Sequence, residues 1–219
     1  FFSNSKPKTM KRIAFLCFSF FIFYASLIFS QDTIYVPQDH QTIQAAIDAA
    51  VDGDVVLVDT GTYLENISFN GKAITLASKY IWGQDEFYRD HTIIDGSNPP
   101  DPDSATTVLF ISGEDSTSVL TGFTVTGGAG TRSTINVSEY FDGGGILILN
   151  SGAKICDNLV MNNNLYNDDT LINGVVGGGI SVLLSDPQQH VIIENNIIRN
   201  NTAVAAEGRS FGGGMSCYG

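Results

Sequence analysis

Three polar inserts carry the side chains of this sequence that are best suited to recognise a ligand. They span residues 129–142, 165–176 and 202–211, and each precedes a run of three glycines. Aromatic rings stack on the C–H faces of sugars, while carboxylates and guanidinium groups hydrogen-bond to sugar hydroxyls. The inserts therefore favour a polysaccharide ligand over the alternative, ordinary solvated loops. The candidate ligand-binding residues are Arg132, Tyr140, Tyr166, Asp168, Asp169 and Arg209.

The same carboxylates raise two further possibilities, a calcium ion and proton abstraction next to a uronate carboxylate. The segment DGSNPPDPDS at 95–104 also has alternating carboxylates, but its three prolines favour a stiff surface turn. The histidines, at 40, 91 and 190, have no nucleophile-elbow motif near them. We therefore assign no catalytic residue, no metal site and no cofactor other than an optional Ca²⁺.

The elements that hold the inserts are indicated by an internal repeat. GGGILIL, GGGISVLL and GGGMSCYG begin at residues 143, 177 and 212, which are 34 and 35 residues apart. A fixed period of this length is typical of a solenoid. Within each repeat, LTGFTVTGG, ICDNLVMNN and IENNIIRNN superpose position by position. The alignment predicts a parallel β-helix with Val125, Val160 and Ile198 in one column and Phe123, Asn158 and Asn196 in another.

The glycine triplets are predicted to be architectural, because the backbone must turn sharply there and lie close to neighbouring coils. Their alignment predicts three columns of equivalent residues. The columns Ile146/Ile180/Met215 and Ile148/Val182/Cys217 are predicted to point inward. The column Leu147/Ser181/Ser216 is predicted to point outward.

One short helix precedes the repeats. Ile43, Ala46, Ile47 and Ala50 recur at helical spacing, with Thr42 as N-cap and Gly53 as the stop. From Val55 onward, short apolar runs alternate with Gly, Asn, Asp and Ser, which is typical of strands and turns. We find no second helical pattern. The sequence predicts an all-β protein with an N-terminal amphipathic capping helix.

The segment TIQAAIDAAVDGDVVLVDTGTYLENISFNGKAITLAS, with the later TIIDG, resembles the start of the pectin-lyase-like superfamily. It is similar to the opening of pectin methylesterases, and the later repeats are similar to secreted β-helix repeat proteins. The resemblance covers residues 34–219 and implies a right-handed parallel β-helix. The aspartate motifs of pectin methylesterases, the Asn-Thr-Asp and Gly-His-Gly set of polygalacturonases and the Trp-Ile-Asp-His of pectate lyases are absent.

The two ends of the chain carry further signals. Met10 is followed by two basic residues and an apolar run from Ile13 to Phe29, which predicts a secretory signal peptide at 10–30. An uncleaved membrane anchor is the alternative, and residues 1–9 read as translated upstream sequence. The β-helix is assigned to residues 31–219 and is expected to be truncated, because GGGMSCYG opens a coil that is not completed. Cys156 and Cys217 are interpreted as small core residues rather than a disulfide.

The net charge and the predicted signal peptide together limit the classes of function that suit this protein. Residues 31–219 hold seven basic and 23 acidic side chains, so a nucleic-acid partner is excluded. The sequence favours a secreted or cell-surface monomer, without membrane contact after signal cleavage, that binds an acidic or neutral polysaccharide or mediates cell-surface contact. The alternative is a polysaccharide-acting enzyme whose catalytic residues lie beyond residue 219. Whether the protein is an enzyme stays open.

Overall fold

The computed structural model describes residues 31–135 and 138–219. The predictions for residues 1–9 and for the signal peptide fall outside this part of the chain. The described residues form a parallel β-solenoid in which each coil crosses three sheets in turn.

Six strands form sheet 1, which is parallel throughout: Thr33–Val36, Val55–Val58, Thr75–Ser78, Val119–Thr121, Ala153–Cys156 and Val191–Glu194. Five strands form sheet 2: Gly61–Leu64, Thr92–Asp95, Thr124–Thr126, Leu159–Met161 and Ile197–Arg199. Five more form sheet 3: Ile67–Ser68, Val108–Phe110, Ile146–Leu149, Ile180–Leu183 and Met215–Tyr218. The side chains that point inward from the three sheets make one continuous apolar core.

The predicted register between coils is confirmed. Val125 pairs with Val160 and Val160 with Ile198 in sheet 2. In sheet 3, Ile146 pairs with Ile180 and Ile180 with Met215. Apolar side chains thus stack on equivalent side chains of the next coil, which is how a solenoid builds its core from units that could not bury a core alone.

Buried and half-buried asparagines at the turns between sheets hydrogen-bond to the preceding coil. Asn158 accepts a hydrogen bond from the Phe123 backbone N–H at 3.0 Å and donates through Nδ2 to the Leu120 carbonyl at 3.0 Å. Asn196 repeats the pattern, accepting from the Asn158 N–H at 2.9 Å. A second ladder joins Gly128, Asn163 and Asn201 at the next turn. The predicted Asn158/Asn196 column is therefore confirmed as a hydrogen-bonded ladder.

Each position of the glycine triplets has a steric reason. The first glycines, Gly143, Gly177 and Gly212, have φ between 59° and 66°, a region that favours glycine. A Cβ added to Gly144 would lie 2.2 Å from the Gly178 carbonyl oxygen, and one added to Gly145 would lie 2.7 Å from that of Gly179. The triplets are architectural, as predicted.

The helix Ile43–Ala49 begins after Thr42, whose side chain accepts from the Ala45 N–H. Its Ile43, Ala46 and Ile47 side chains are buried in the solenoid core. The capping role assigned to this helix stays a prediction.

The prediction of no further helix is wrong. A 3₁₀ helix spans Lys79–Trp82, and an α-helix spans Glu86–His91 with Asp85 as its N-cap. These helices are four and six residues long, which is too short for a helical repeat of apolar residues to be visible in the sequence. The interpretation of the cysteines is correct for Cys156, which is buried, and wrong for Cys217, which is exposed in the last strand. Within the two described ranges, no helix has both the length and the apolar character needed to cross a membrane.

Candidate functional site

The three inserts stack into a wall of two layers beside sheet 3. The inner layer, which we call the inner wall sheet, comprises Ser104–Ala105, Gly130–Ile135, Ser138–Asp142, Gly174–Val176 and Arg209–Phe211. The outer layer is a parallel pair, Asn164–Asn167 and Thr202–Ala205. Parallel pairing of Asp142 with Val176, and of Val176 with Phe211, shows that the inserts leave successive coils at the same point.

A small apolar core of its own holds the wall together. Phe141 and Val175 from the inner wall sheet pack with Leu165 of the outer pair and with Ile172 of the connecting turn. Side chains in a strand alternate between faces. The neighbours Tyr140, Asp142 and Val176 therefore point the other way, towards sheet 3.

The wall covers the outward face of sheet 3. Leu147 and Ser181, which were predicted to point outward, do point away from the solenoid core, yet both are 0 % exposed. Leu109, Leu147 and Leu183 form a separate apolar cluster on this face. The prediction of direction was correct, but a second layer lies over these residues, and alternation along one strand cannot reveal it.

Between the wall and sheet 3 lies a groove of about 460 Å³. Its lining contains three aromatic rings, three small hydroxyl or thiol side chains and two aliphatic ones: Tyr140, Phe211, Tyr218, Ser138, Ser216, Cys217, Val176 and Leu183. A second depression of about 280 Å³ shares Leu183 and Tyr218 with it and adds the polar residues Thr134, Asn150 and Ser185. The two form one trench with aromatic and neutral polar walls.

One buried carboxyl group lies under this groove. Asp142 is 0 % exposed and belongs to the same column of the wall as the groove residues Val176 and Phe211. Burial raises its pKa to about 6, against a smaller opposing effect of the Ser133 and Ser181 hydroxyls. Ser133 Oγ donates to Asp142 Oδ2. The Ser181 hydroxyl also acts on this carboxyl group and lowers its pKa, and among the described residues Asp142 Oδ1 and Ser181 Oγ have no other hydrogen-bonding group near them.

Arg132 is the centre of an ion-pair cluster on the other face of the hairpin. Its guanidinium lies 2.8 Å from Glu139 Oε2, 3.4 Å from Asp169 Oδ2 and 3.6 Å from Asp103 Oδ1. It also lies 5.6 Å from the centre of the Phe141 ring. The carboxylates come from three separate segments, so Arg132 joins the hairpin to the preceding loop and the following insert. Two of its nitrogens hydrogen-bond to Glu139 and Asp169, whereas Nε is buried and makes no hydrogen bond within the described part of the chain.

The structure brings together only some of the predicted site residues. Arg132 and Asp169 are in contact, and Tyr140 lines the groove. Tyr166 is 55 % exposed and alternates with buried Leu165, so it lies on the opposite face of the wall from Tyr140. Asp168 is exposed in the turn after Asn167. Arg209 is exposed on the last wall strand, in register with Gly174 and Tyr140.

The sequence did not single out Asp142, Phe211 or Tyr218 as site residues. The repeat does contain a signal for these residues, because each stands at an equivalent position in successive repeats. That signal becomes informative once the wall and sheet 3 are known to face each other. Among the described residues, no group of three or more His, Cys, Asp or Glu side chains is placed to hold a metal ion.

No protein-family model, curated protein or solved structure matches this chain. The structure supports a parallel β-solenoid, and the resemblance to the pectin-lyase-like superfamily rests on the sequence segments quoted above.

Proposed function

We propose that this protein is an extracellular, pectin-lyase-like β-solenoid that binds a polysaccharide chain in the groove between the wall and sheet 3. The single observation that carries the proposal is the trench itself, about 460 Å³ in its larger part and lined by Tyr140, Phe211 and Tyr218. Ring faces of this kind stack on sugar rings.

The polar groups of the trench fit the same ligand. Ser138 and Ser216 place hydroxyls beside the aromatic rings, and the adjoining depression adds Thr134, Asn150 and Ser185. Hydroxyl and amide groups both donate and accept hydrogen bonds, as sugar hydroxyls do. The residues that line the trench come from three successive repeats, so an extended chain suits it better than a compact ligand.

The extracellular part of the proposal rests on the sequence alone. The apolar run from Ile13 to Phe29, with two basic residues before it, supports export. A secreted or cell-surface protein of this shape would meet glycans of a cell wall or cell coat, either as ligands or as points of attachment.

The test compares two tyrosines on opposite faces of the wall. Tyr140→Ala removes an aromatic ring from the groove, whereas Tyr166→Ala removes one from the outer face. We expect retention on immobilised glycans in affinity electrophoresis to fall by about twofold to tenfold for Tyr140→Ala, because one aromatic stacking contact is worth about 0.5–1.5 kcal/mol. Tyr166→Ala should bind like the wild type. Equal losses in both variants, or no glycan bound by the wild type, would refute the groove as the binding site.

A further inference from the structure

We infer that Asp142 is a pH-dependent latch that holds the wall against sheet 3, so that the width of the groove depends on the protonation of one buried carboxyl group. This regulation applies to the site of the proposed function, but it is argued from the packing of the wall and can be tested without a ligand.

The latch lies where the wall meets the solenoid. In the wall, Asp142 pairs with Val176 of the next coil, which pairs with Phe211. In sheet 3, Leu147 pairs with Ser181, which pairs with Ser216. Three of these residues, Val176, Phe211 and Ser216, line the groove. Asp142, Leu147 and Ser181, which belong to the same two columns, are 0 % exposed. A change in spacing at Asp142 therefore moves a wall of the groove.

Two buried polar atoms face each other at this contact. Among the described residues, Asp142 Oδ1 and Ser181 Oγ have no hydrogen-bonding group near them apart from each other. The Ser181 hydroxyl can accept from a protonated Asp142 or donate to an ionised one. Burial decides between the two forms, because an ionised Asp142 leaves a negative charge between two layers, which is costly without a cation.

Within residues 31–135 and 138–219, no charged side chain compensates this charge. From its own hairpin, Asp142 is faced by Ser133 and by Thr131, its partner across the two strands, and from sheet 3 by Ser181. Thr106 Oγ1 donates to the backbone carbonyl of Asp142 at 3.3 Å. Tyr140, which is partly exposed, is the titratable side chain on the same face of the strand, whereas Arg132 and Glu139 lie on the opposite face. Only burial and the two serine hydroxyls act on the pKa of Asp142.

The direction of the switch follows from linkage. The pKa of Asp142 is about 6 when the wall is docked and close to its ordinary value of 3.8 when the wall opens and water reaches it. Opening is therefore rare below pH 4, becomes about tenfold more frequent for each pH unit up to about 6, and is constant above that. Between pH 4 and pH 7 the opening equilibrium should rise about 100-fold.

Hydrogen–deuterium exchange measures this opening directly. We would follow peptides that cover 138–142 and 174–176, correct them for intrinsic exchange, and use the sheet 1 strand 75–78 as an internal reference. In the wild type, protection of the wall should fall about 100-fold from pH 4 to pH 7. In Asp142→Asn, which cannot ionise, it should stay constant, while Asp168→Asn, an exposed carboxyl on the same wall, should follow the wild type.

A second variant keeps the inference testable if Asp142→Asn does not fold. The Ser133 hydroxyl lowers the pKa of Asp142, so in Ser133→Ala the fall in protection should extend to a higher pH than in the wild type. Identical pH profiles for the wild type and Asp142→Asn, or an unchanged midpoint in Ser133→Ala, would overturn the latch. Neither result depends on whether a glycan binds, so the proposed function is judged separately.

Discussion

At the scale of single residues, Asn158 shows how one side chain can satisfy three backbone groups. It is 0 % exposed, accepts from the Phe123 N–H, and donates to the carbonyls of Leu120 and Cys156. The alternative for each of these groups is to be buried without a partner, which costs about 1–3 kcal/mol per group. Asn158 therefore contributes more to stability than its own size suggests.

We predict that Asn158→Ala lowers the free energy of unfolding by about 3 kcal/mol or more, because it orphans these groups and removes packed atoms. Urea denaturation followed by circular dichroism measures the change. Asn173→Ala is the matched control, since Asn173 is exposed and its backbone makes the hydrogen bonds to Glu139 and Arg209. Its effect should stay within about 0.5 kcal/mol. Similar losses in the two variants would show that the ladder is not important for stability.

The sequence predicted the Asn158 column but not the separation of Tyr140 from Tyr166. The column repeats in three coils, and its register is fixed by neighbouring apolar positions. The tyrosines stand in inserts whose lengths and sequences differ, so no alignment relates them. Which face of the wall each one occupies depends on where its strand begins, and that depends on the burial of Phe141 and Leu165 in a core that only the folded wall creates.

At the scale of elements, the helix Ile43–Ala49 is held at both ends by side chains of the first coil. The Glu65 carboxylate accepts from the N–H groups of Ile43 and Gln44, both at 2.9 Å. At the other end, Lys72 Nζ donates to the carbonyls of Ile47, Asp48 and Ala50 at 2.7–2.8 Å. The negative charge lies at the N-terminus and the positive charge at the C-terminus, so both charges are favourable to the helix dipole.

Lys72→Met should therefore destabilise the protein by about 2 kcal/mol or more, since it removes three charge-assisted hydrogen bonds to helix carbonyls. The midpoint of thermal unfolding would report the loss. Lys154→Met provides the control, because Lys154 makes an exposed ion pair with Glu194, and such pairs add little stability. If both lysines prove equally dispensable, the helix is held by its apolar face alone.

Elements with a strong period were predictable, and short or layered ones were not. The strands of sheets 1, 2 and 3 repeat with the coil, so their register could be read by superposing Val125, Val160 and Ile198. The helix Glu86–His91 is shorter than two turns, and the hairpin 130–142 occurs in one coil only. Neither has a second copy in the sequence against which to align it.

At the scale of the whole molecule, the spacing between coils is set by glycine. A Cβ on Gly178 would lie 2.2 Å from the Thr202 carbonyl oxygen and 2.6 Å from that of Gly213. These oxygens belong to the backbone, so they cannot rotate away as a side chain would. In the first two triplets, the second and third glycines lie where backbone approaches backbone more closely than a Cβ atom permits.

We expect Gly178→Ala to cost about 4 kcal/mol or more, or to prevent folding, because the two coils would have to separate. Gly83→Ala adds the same methyl group where nothing lies within 4 Å, and it should leave stability nearly unchanged. Soluble yield and the urea midpoint of both variants decide the matter. A Gly178→Ala protein as stable as Gly83→Ala would contradict the architectural role of the triplets.

The direction of the asparagine ladders bears on the order in which the molecule can be assembled. Asn158 and Asn163 bond to groups of the coil that precedes them, at Leu120, Phe123, Val125 and Gly128. Asn196 and Asn201 do the same one coil later. Each coil thus offers its free turn groups as a template that the next coil completes. A chain that is synthesised from its N-terminus can therefore fold one coil at a time, because each new coil pairs with the coil directly before it.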